Sequence, residues 1–302
     1  MNTEVTFQKT IMDDVTQSGV YLEFNLKEFI YFKHVLDILN DELSTGNIII
    51  GFGFDLLKQT KNYDPTLLEI PTYDNPHNIN FHDENRDVFL WIKDKFLGDV
   101  IKRGHFLKEK LESYAKDFEV TLGNLYHPKK EENKTETRGL DGFWDGTENP
   151  KEDIETIAYI KNEDSLLNKG SYWVVQKWQH DLDFIKNAST KEKEDIIGRT
   201  EADSIEFEHK PIDSHVARTD QDSFSLDAHM WRRSMPWISD NLTGGLMFTC
   251  FANSLYPFTA QFNRMTGGED GIIDATFKMS QIVSTKYLWC PPLVNGKLNI
   301  LK

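Results

Sequence analysis

Between Arg138 and Pro150 the sequence crowds Gly139, Gly142, Gly146, Phe143, Trp144, Asp141 and Asp145 into one run that ends in Asn149-Pro150. Glycine lets a backbone approach a flat, bulky group closely or adopt a positive φ. A carboxylate at Asp145, held between Trp144 and Gly146, would be partly desolvated and able to accept a proton. A bare Asp-Gly pair reads equally well as an Asx turn. The other chemical patterns are weaker. Gly51-Phe52-Gly53 follows an apolar strand as a nucleotide-binding loop does, yet Leu56 stands where a third glycine belongs. That segment reads as a strand end that needs small residues. The histidines at 34, 77, 82, 105, 127, 180, 209, 215 and 229 show no zinc-site spacing, and no G-x-S-x-G elbow for a serine hydrolase occurs.

Such groups need elements to hold them. Val20 to Leu26 alternates apolar and polar residues as a half-buried strand does. Lys27 to Leu43 carries its apolar residues at helical spacing, and Asn47 to Phe54 is a second strand. Asp87 to Lys93 predicts a strand, Leu97 to Lys116 a helix, and Phe118 to Leu125 a returning strand. The order strand, helix, strand, strand, helix, strand is ferredoxin-like. Glu131 to Arg138 is charged and aperiodic, the pattern of an exposed connection. The second half repeats the scheme. Ser171 to Trp178, His229 to Trp237 and Gly245 to Ala252 read as strands, and Leu255 to Met265 as a helix. Ser189 to Glu192 has the spacing of a capping box, with Gly198 closing the short helix that it opens. The chain therefore predicts an α+β fold of two ferredoxin-like subdomains with antiparallel sheets, residues 1–137 and 138–302, packed as one unit.

Composition narrows the class. The 302 residues carry 49 Asp and Glu against 34 Lys and Arg, a formal charge of −15, which repels phosphate backbones. Nucleic acid is thus not an expected partner. No apolar run approaches the roughly 20 residues of a membrane span, and no basic-then-apolar leader opens the chain. Cys250 and Cys290 lie in apolar surroundings and read as buried thiols. A cytoplasmic location is the expectation.

The glycine run is also where the sequence becomes specific. Gly142-Phe143-Trp144-Asp145-Gly146, continuing through Thr147-Glu148-Asn149-Pro150, resembles the GXXDG motif of the dye-decolourising peroxidases. Further segments match that family in order: Gly170 to Trp178 with His180-Asp181, Ile197-Gly198-Arg199-Thr200, Asp213 to Arg218, Arg232-Arg233-Ser234-Met235-Pro236, Gly245 to Phe248, and Asp270 to Asp274. The likeness runs from about residue 138 to 292 and is weaker before it. Length and the missing leader resemble the shorter class B subgroup. Trp237-Ile238-Ser239-Asp240 departs from the pattern, where Tyr or Phe followed by Gly is more usual; this touches the access route, not the catalytic positions.

The resemblance implies one haem b per chain, with its iron, in the C-terminal half of a dimeric α+β barrel type of fold. It assigns the axial ligand to His215, although by residue type alone any of the nine histidines could serve. Asp274 is the candidate for the carboxylate on the other ring nitrogen, with Asp270 and Glu269 as alternatives. Asp145 becomes the proton shuttle for hydrogen peroxide and Arg232 the group that stabilises charge on the leaving oxygen. Ser234, two residues along a strand, faces the same side as Arg232. Leu246 and Phe248 would form a dry ceiling. Arg199, Arg233, Arg218 and His180 are the candidate partners of the haem propionates. The family further implies small organic electron donors and a homodimer or higher homo-oligomer. A haem- or oxygen-binding protein with incidental peroxidase activity is the alternative, and the Asp145 and Arg232 pair favours the enzyme. The acidic charge predicts weaker use of anionic dyes at neutral pH.

Overall fold

The computed structural model describes residues 4–60, 68–131, 134–163, 167–298 and 300. The period-2 segments become strands β1 (Ser18–Leu26), β2 (Ile48–Gly53), β3 (Val88–Asp94) and β4 (Ala115–Asn124). In the second half they are β5 (Ser171–His180), β6 (Met235–Ile238), β7 (Gly244–Ala252) and β8 (Ser280–Cys290). Each half orders its strands as fourth, first, third, second: β4-β1-β3-β2 and β8-β5-β7-β6. That order is the ferredoxin-like one, so the expected α+β fold is what forms.

The two sheets then join at both edges. Leu288 and Trp289 of β8 pair with Gly53 and Phe52 of β2, and Trp237 of β6 pairs with Gly123 of β4. The circuit closes into an eight-stranded antiparallel barrel, which removes every edge of those sheets from solvent. Alternation along each strand sorts the side chains into two cores. Tyr21, Phe89, Trp91, Trp173, Phe251 and Leu288 belong to one cluster and fill the barrel. Val20, Leu22, Phe24, Leu90 and their neighbours belong to another, packed under helices α1 (Phe32–Leu43) and α2 (Leu97–Leu111). Gly51 and Gly53 act as small residues at a strand end: a Cβ on Gly51 would lie 2.7 Å from Trp173, and one on Gly53 would lie 2.0 Å from the Arg86 carbonyl oxygen.

Several local expectations change. Helix α1 starts only at Phe32, after a 3-10 turn over Phe29–Tyr31. Helix α2 ends at Leu111 rather than 116, because Ala115 already pairs with Leu26 on β1. The charged stretch before Arg138 is strand rather than loop: Lys134–Arg138 pairs with Tyr126–Glu131 and Trp144–Asp145, and Thr137 is buried. Residues 132 and 133 lie outside the described residues. The segment from His229 is a strand only over Trp231–Arg232 and again from Met235, both paired with β7 in one continuous register. The capping box forms, with Ser189 Oγ accepting from Glu192 N at 3.2 Å at the start of helix α3 (Thr190–Ile197). Gly198 ends that helix at φ 92°. Among the described residues, no helix is long and apolar enough to cross a membrane. Both cysteines are free and buried.

Candidate active site

Side chains at even positions of β5 point away from the barrel, opposite Trp173 and Val175. Gln176, Trp178 and His180 thereby meet Leu246 and Phe248 of β7 in the floor of a cavity of about 150 Å³. Two helices supply the facing wall: α4 (His215–Thr219) with His215, and α5 (Tyr256–Met265) with Phe258, Phe262 and Met265. The lining is mostly apolar.

On the helix side, His215 Nδ1 lies 2.8 Å from Asp274 Oδ2. Asp274 is fully buried, and its other oxygen accepts from Thr276 N at 2.8 Å and Thr276 Oγ1 at 2.6 Å. The loops carrying the pair are tied together, with Ala275 N donating to Asp213 O at 2.7 Å. Burial works against the imidazolium, but the Asp274 carboxylate outweighs it and raises the pKa of His215. With Nδ1 secured, Nε2 is the ring nitrogen left for a ligand in the cavity. The alternative acids are occupied elsewhere: Asp270 holds Arg218 at 2.7 Å and Glu269 holds Arg264 at 2.7 Å.

On the sheet side the glycine run folds into a tight turn. Asp141 Oδ1 accepts from Phe143 N at 3.0 Å, and Gly142 and Gly146 take φ of 96° and 86°. Asp145 Oδ1 accepts from Gly146 N at 2.7 Å. Asp145 does not line the main cavity directly. It shares a small side chamber with Arg232, Ser234 and Asn149, and Arg232 borders both spaces. Burial pushes the Asp145 carboxyl above its ordinary value, against the pull of Arg232. Asn149 fixes that arginine from behind: its Nδ2 donates to Arg232 O and its Oδ1 accepts from Arg232 N, both at 3.0 Å. The Arg232 guanidinium donates to Glu148 O.

The remaining candidates separate. Arg199 sits at an outer mouth that also reaches Arg232, paired at 2.8 Å with Glu148 and with Glu206. Arg233 turns off to stack on Trp231, 3.8 Å from the ring centre, and Arg218 is spent on Asp270. His180 does line the cavity. Residue-type reasoning missed Asp141, which borders the main cavity from the same turn as Asp145. It also missed the α5 wall, whose signal was present: Phe258, Gln261, Phe262 and Met265 recur at helical spacing. An apolar slot with a free imidazole nitrogen on one wall and Arg232 facing it fits haem b.

Fold and cavity define a two-repeat α+β barrel that carries a built prosthetic-group site on its C-terminal sheet. The chain belongs to the Dyp-type peroxidase family: the family's C-terminal domain matches residues 136–295. The dye-decolorizing peroxidase of Mycobacterium tuberculosis is 40% identical over 108 residues, 34% of this chain and 32% of that protein. That of Rhodococcus erythropolis is 35% identical over 106 residues, 34% of this chain and 31% of that protein. The chain thus spans about a third of the length of these curated relatives. Solved structures are similar over nearly the whole fold. A putative dyp-type peroxidase from Shewanella oneidensis gives a TM-score of 0.83 at 24% identity, covering 95% of this chain and 96% of that one. A variant of DypB from Rhodococcus jostii RHA1 in complex with heme gives 0.79 at 23% identity, covering 92% and 94%. At such identities the likeness speaks for the fold.

Proposed function

We propose that this protein is a haem-dependent peroxidase that uses hydrogen peroxide to oxidise dyes, phenols or other organic donors in one-electron steps. The observation that carries the reading is His215 held by buried Asp274 on one wall of the cavity, with Arg232 on the other and Asp145 in the side chamber behind it. Haem bound there would supply the redox chemistry of the reaction with peroxide. His215 holds the iron through Nε2, and Asp274 keeps that imidazole basic and oriented. Asp145 takes the proton from one peroxide oxygen and returns it to the other. Arg232 stabilises the charge that builds on the leaving oxygen, and Ser234 hydrogen-bonds the water or peroxide beside it. Leu246 and Phe248 keep bulk water from the reacting oxygens. Arg199 receives a propionate at the mouth.

The test is spectral. Protein reconstituted with haem should show a Soret band, change on one equivalent of peroxide, and return only when a donor is added. No change with peroxide would leave a haem-binding protein without the enzyme. The two reduced, buried cysteines support work in the cytoplasm. We assign residues 1–137 and 138–302 to the two subdomains, and a homodimer or larger homo-oligomer to the active species.

Asn149→Ala probes positioning. It leaves every group that touches peroxide in place but frees the Arg232 backbone, and misplacement on the order of 1 Å can cost about a hundredfold. The expected result is a reaction with peroxide about tenfold to a hundredfold slower, at unchanged haem affinity. Equal loss of haem would mark Asn149 as merely structural.

A further inference from the structure

A second cavity of about 470 Å³ opens beside the main one and shares His180 and Ser280 with it. Its rim is formed by Leu182, Leu242 and Phe277. Leu242 is 78% exposed, at the tip of the turn that leaves β6. It also has φ 64°, a left-handed conformation that bulky side chains avoid. The turn is built to hold it there. Asn241 Oδ1 accepts from Thr243 N at 3.1 Å and Thr243 Oγ1 at 2.8 Å, while Ser239 N donates to Thr243 O at 2.9 Å. A strained leucine kept in solvent adds nothing to the core; its effect is to present apolar surface at a mouth. This is also the segment where Trp237 to Asp240 departs from the family pattern.

The polar groups in this mouth are matched to a hydroxyl. Ser280 Oγ lies 2.5 Å from His180 Nδ1, so one ring nitrogen is secured and the other is left for a ligand. Burial lowers the pKa of His180, which keeps the ring neutral and able to accept a hydrogen bond. Asp181 and Asp183 border the cavity against one cation, Lys278, which pairs with Asp213 at 3.4 Å. That balance disfavours anions. The other mouth carries Arg199 and Arg232, with Arg199 paired to Glu148 and Glu206.

We propose that the second cavity is the binding subsite for a small uncharged phenol, with its ring against Leu242, Leu182 and Phe277 and its hydroxyl on His180. The proposal rests on the peroxidase reading, which it deepens by locating where a phenolic donor binds. Haem-loaded protein is titrated calorimetrically with p-cresol, with 4-methylanisole (no hydroxyl to donate) and with anionic 4-hydroxybenzoate. Affinity should fall in that first pair from p-cresol to 4-methylanisole, and 4-hydroxybenzoate should bind at least several-fold more weakly than p-cresol. Leu242→Gly suits the left-handed position, so it should fold at least as well as the parent. It should raise the Kd of p-cresol about tenfold. Equal Kd values for the parent and Leu242→Gly, or for p-cresol and 4-methylanisole, overturn the subsite. Peroxide reactivity of the parent, followed separately, reports on the peroxidase reading itself, so the two failures are distinguishable.

Discussion

His215→Ala is expected to abolish haem retention. The imidazole is the one group of the helix wall with a free ring nitrogen in the cavity; beside it that wall offers Thr219, Gln261 and the apolar Phe258, Phe262 and Met265. Truncation leaves the fold in place, because the side chain is 37% exposed and Asp274 keeps its bonds from Thr276. The cavity left behind should accept imidazole from solution, and added imidazole should restore haem content and part of the Soret absorbance. Haem content after reconstitution and desalting, with circular dichroism as the control for folding, is the measurement. Full retention with an unchanged spectrum would mean that another residue ligates the iron, and the assignment of both His215 and Asp274 would go with it.

Asp145→Asn should slow the reaction with peroxide by about 10²- to 10⁴-fold, the usual worth of a positioned proton acceptor. Asparagine keeps the bond from Gly146 N and the packing of the chamber, so the loss isolates the proton. The acid limb of the peroxide reaction should follow the same group. Burial raises its pKa, so the rate should begin to fall at a pH above the ordinary aspartate value of about 3.9. Stability moves the other way. A carboxyl whose folded pKa exceeds its unfolded value stabilises the fold in acid and loses that contribution as pH rises through the folded pKa. The Asn variant should therefore melt no lower than the parent at neutral pH while being far less active. A stopped-flow rate unchanged from the parent would remove the shuttle role and leave Arg232 as the principal group beside the peroxide.

Asp145 also illustrates what a sequence can carry. Its turn is legible because Gly142 and Gly146 adopt their positive φ for reasons that lie within a few residues of chain. The strands and α5 are legible for the same reason: periods of two and of 3.6 residues are local. The errors fall where backbone pairing outweighs the side-chain pattern. Leu97 to Lys116 is periodic beyond Leu111, yet Ala115 and Lys116 gain a ladder on β1. The charged run before Arg138 has no apolar period, yet its backbone is paired on both sides.

By itself the sequence determined two α+β halves, an acidic chain, the Asp145 turn and the short list of histidines and acids from which a haem site could be drawn. Only the tertiary structure decided that the halves close into one barrel, since closure needs β8 to meet β2 and β6 to meet β4 across more than a hundred residues of chain. The same long-range packing chose Asp274 over Asp270 and Glu269 as the partner of His215, because those two carboxylates are claimed by Arg218 and Arg264. It also set Asp145 in a side chamber behind Arg232 and brought Leu242 to the mouth that holds His180. Local pattern reports which face of an element is apolar. Which charged groups find one another is settled by burial, where an unpaired charge costs too much to leave alone.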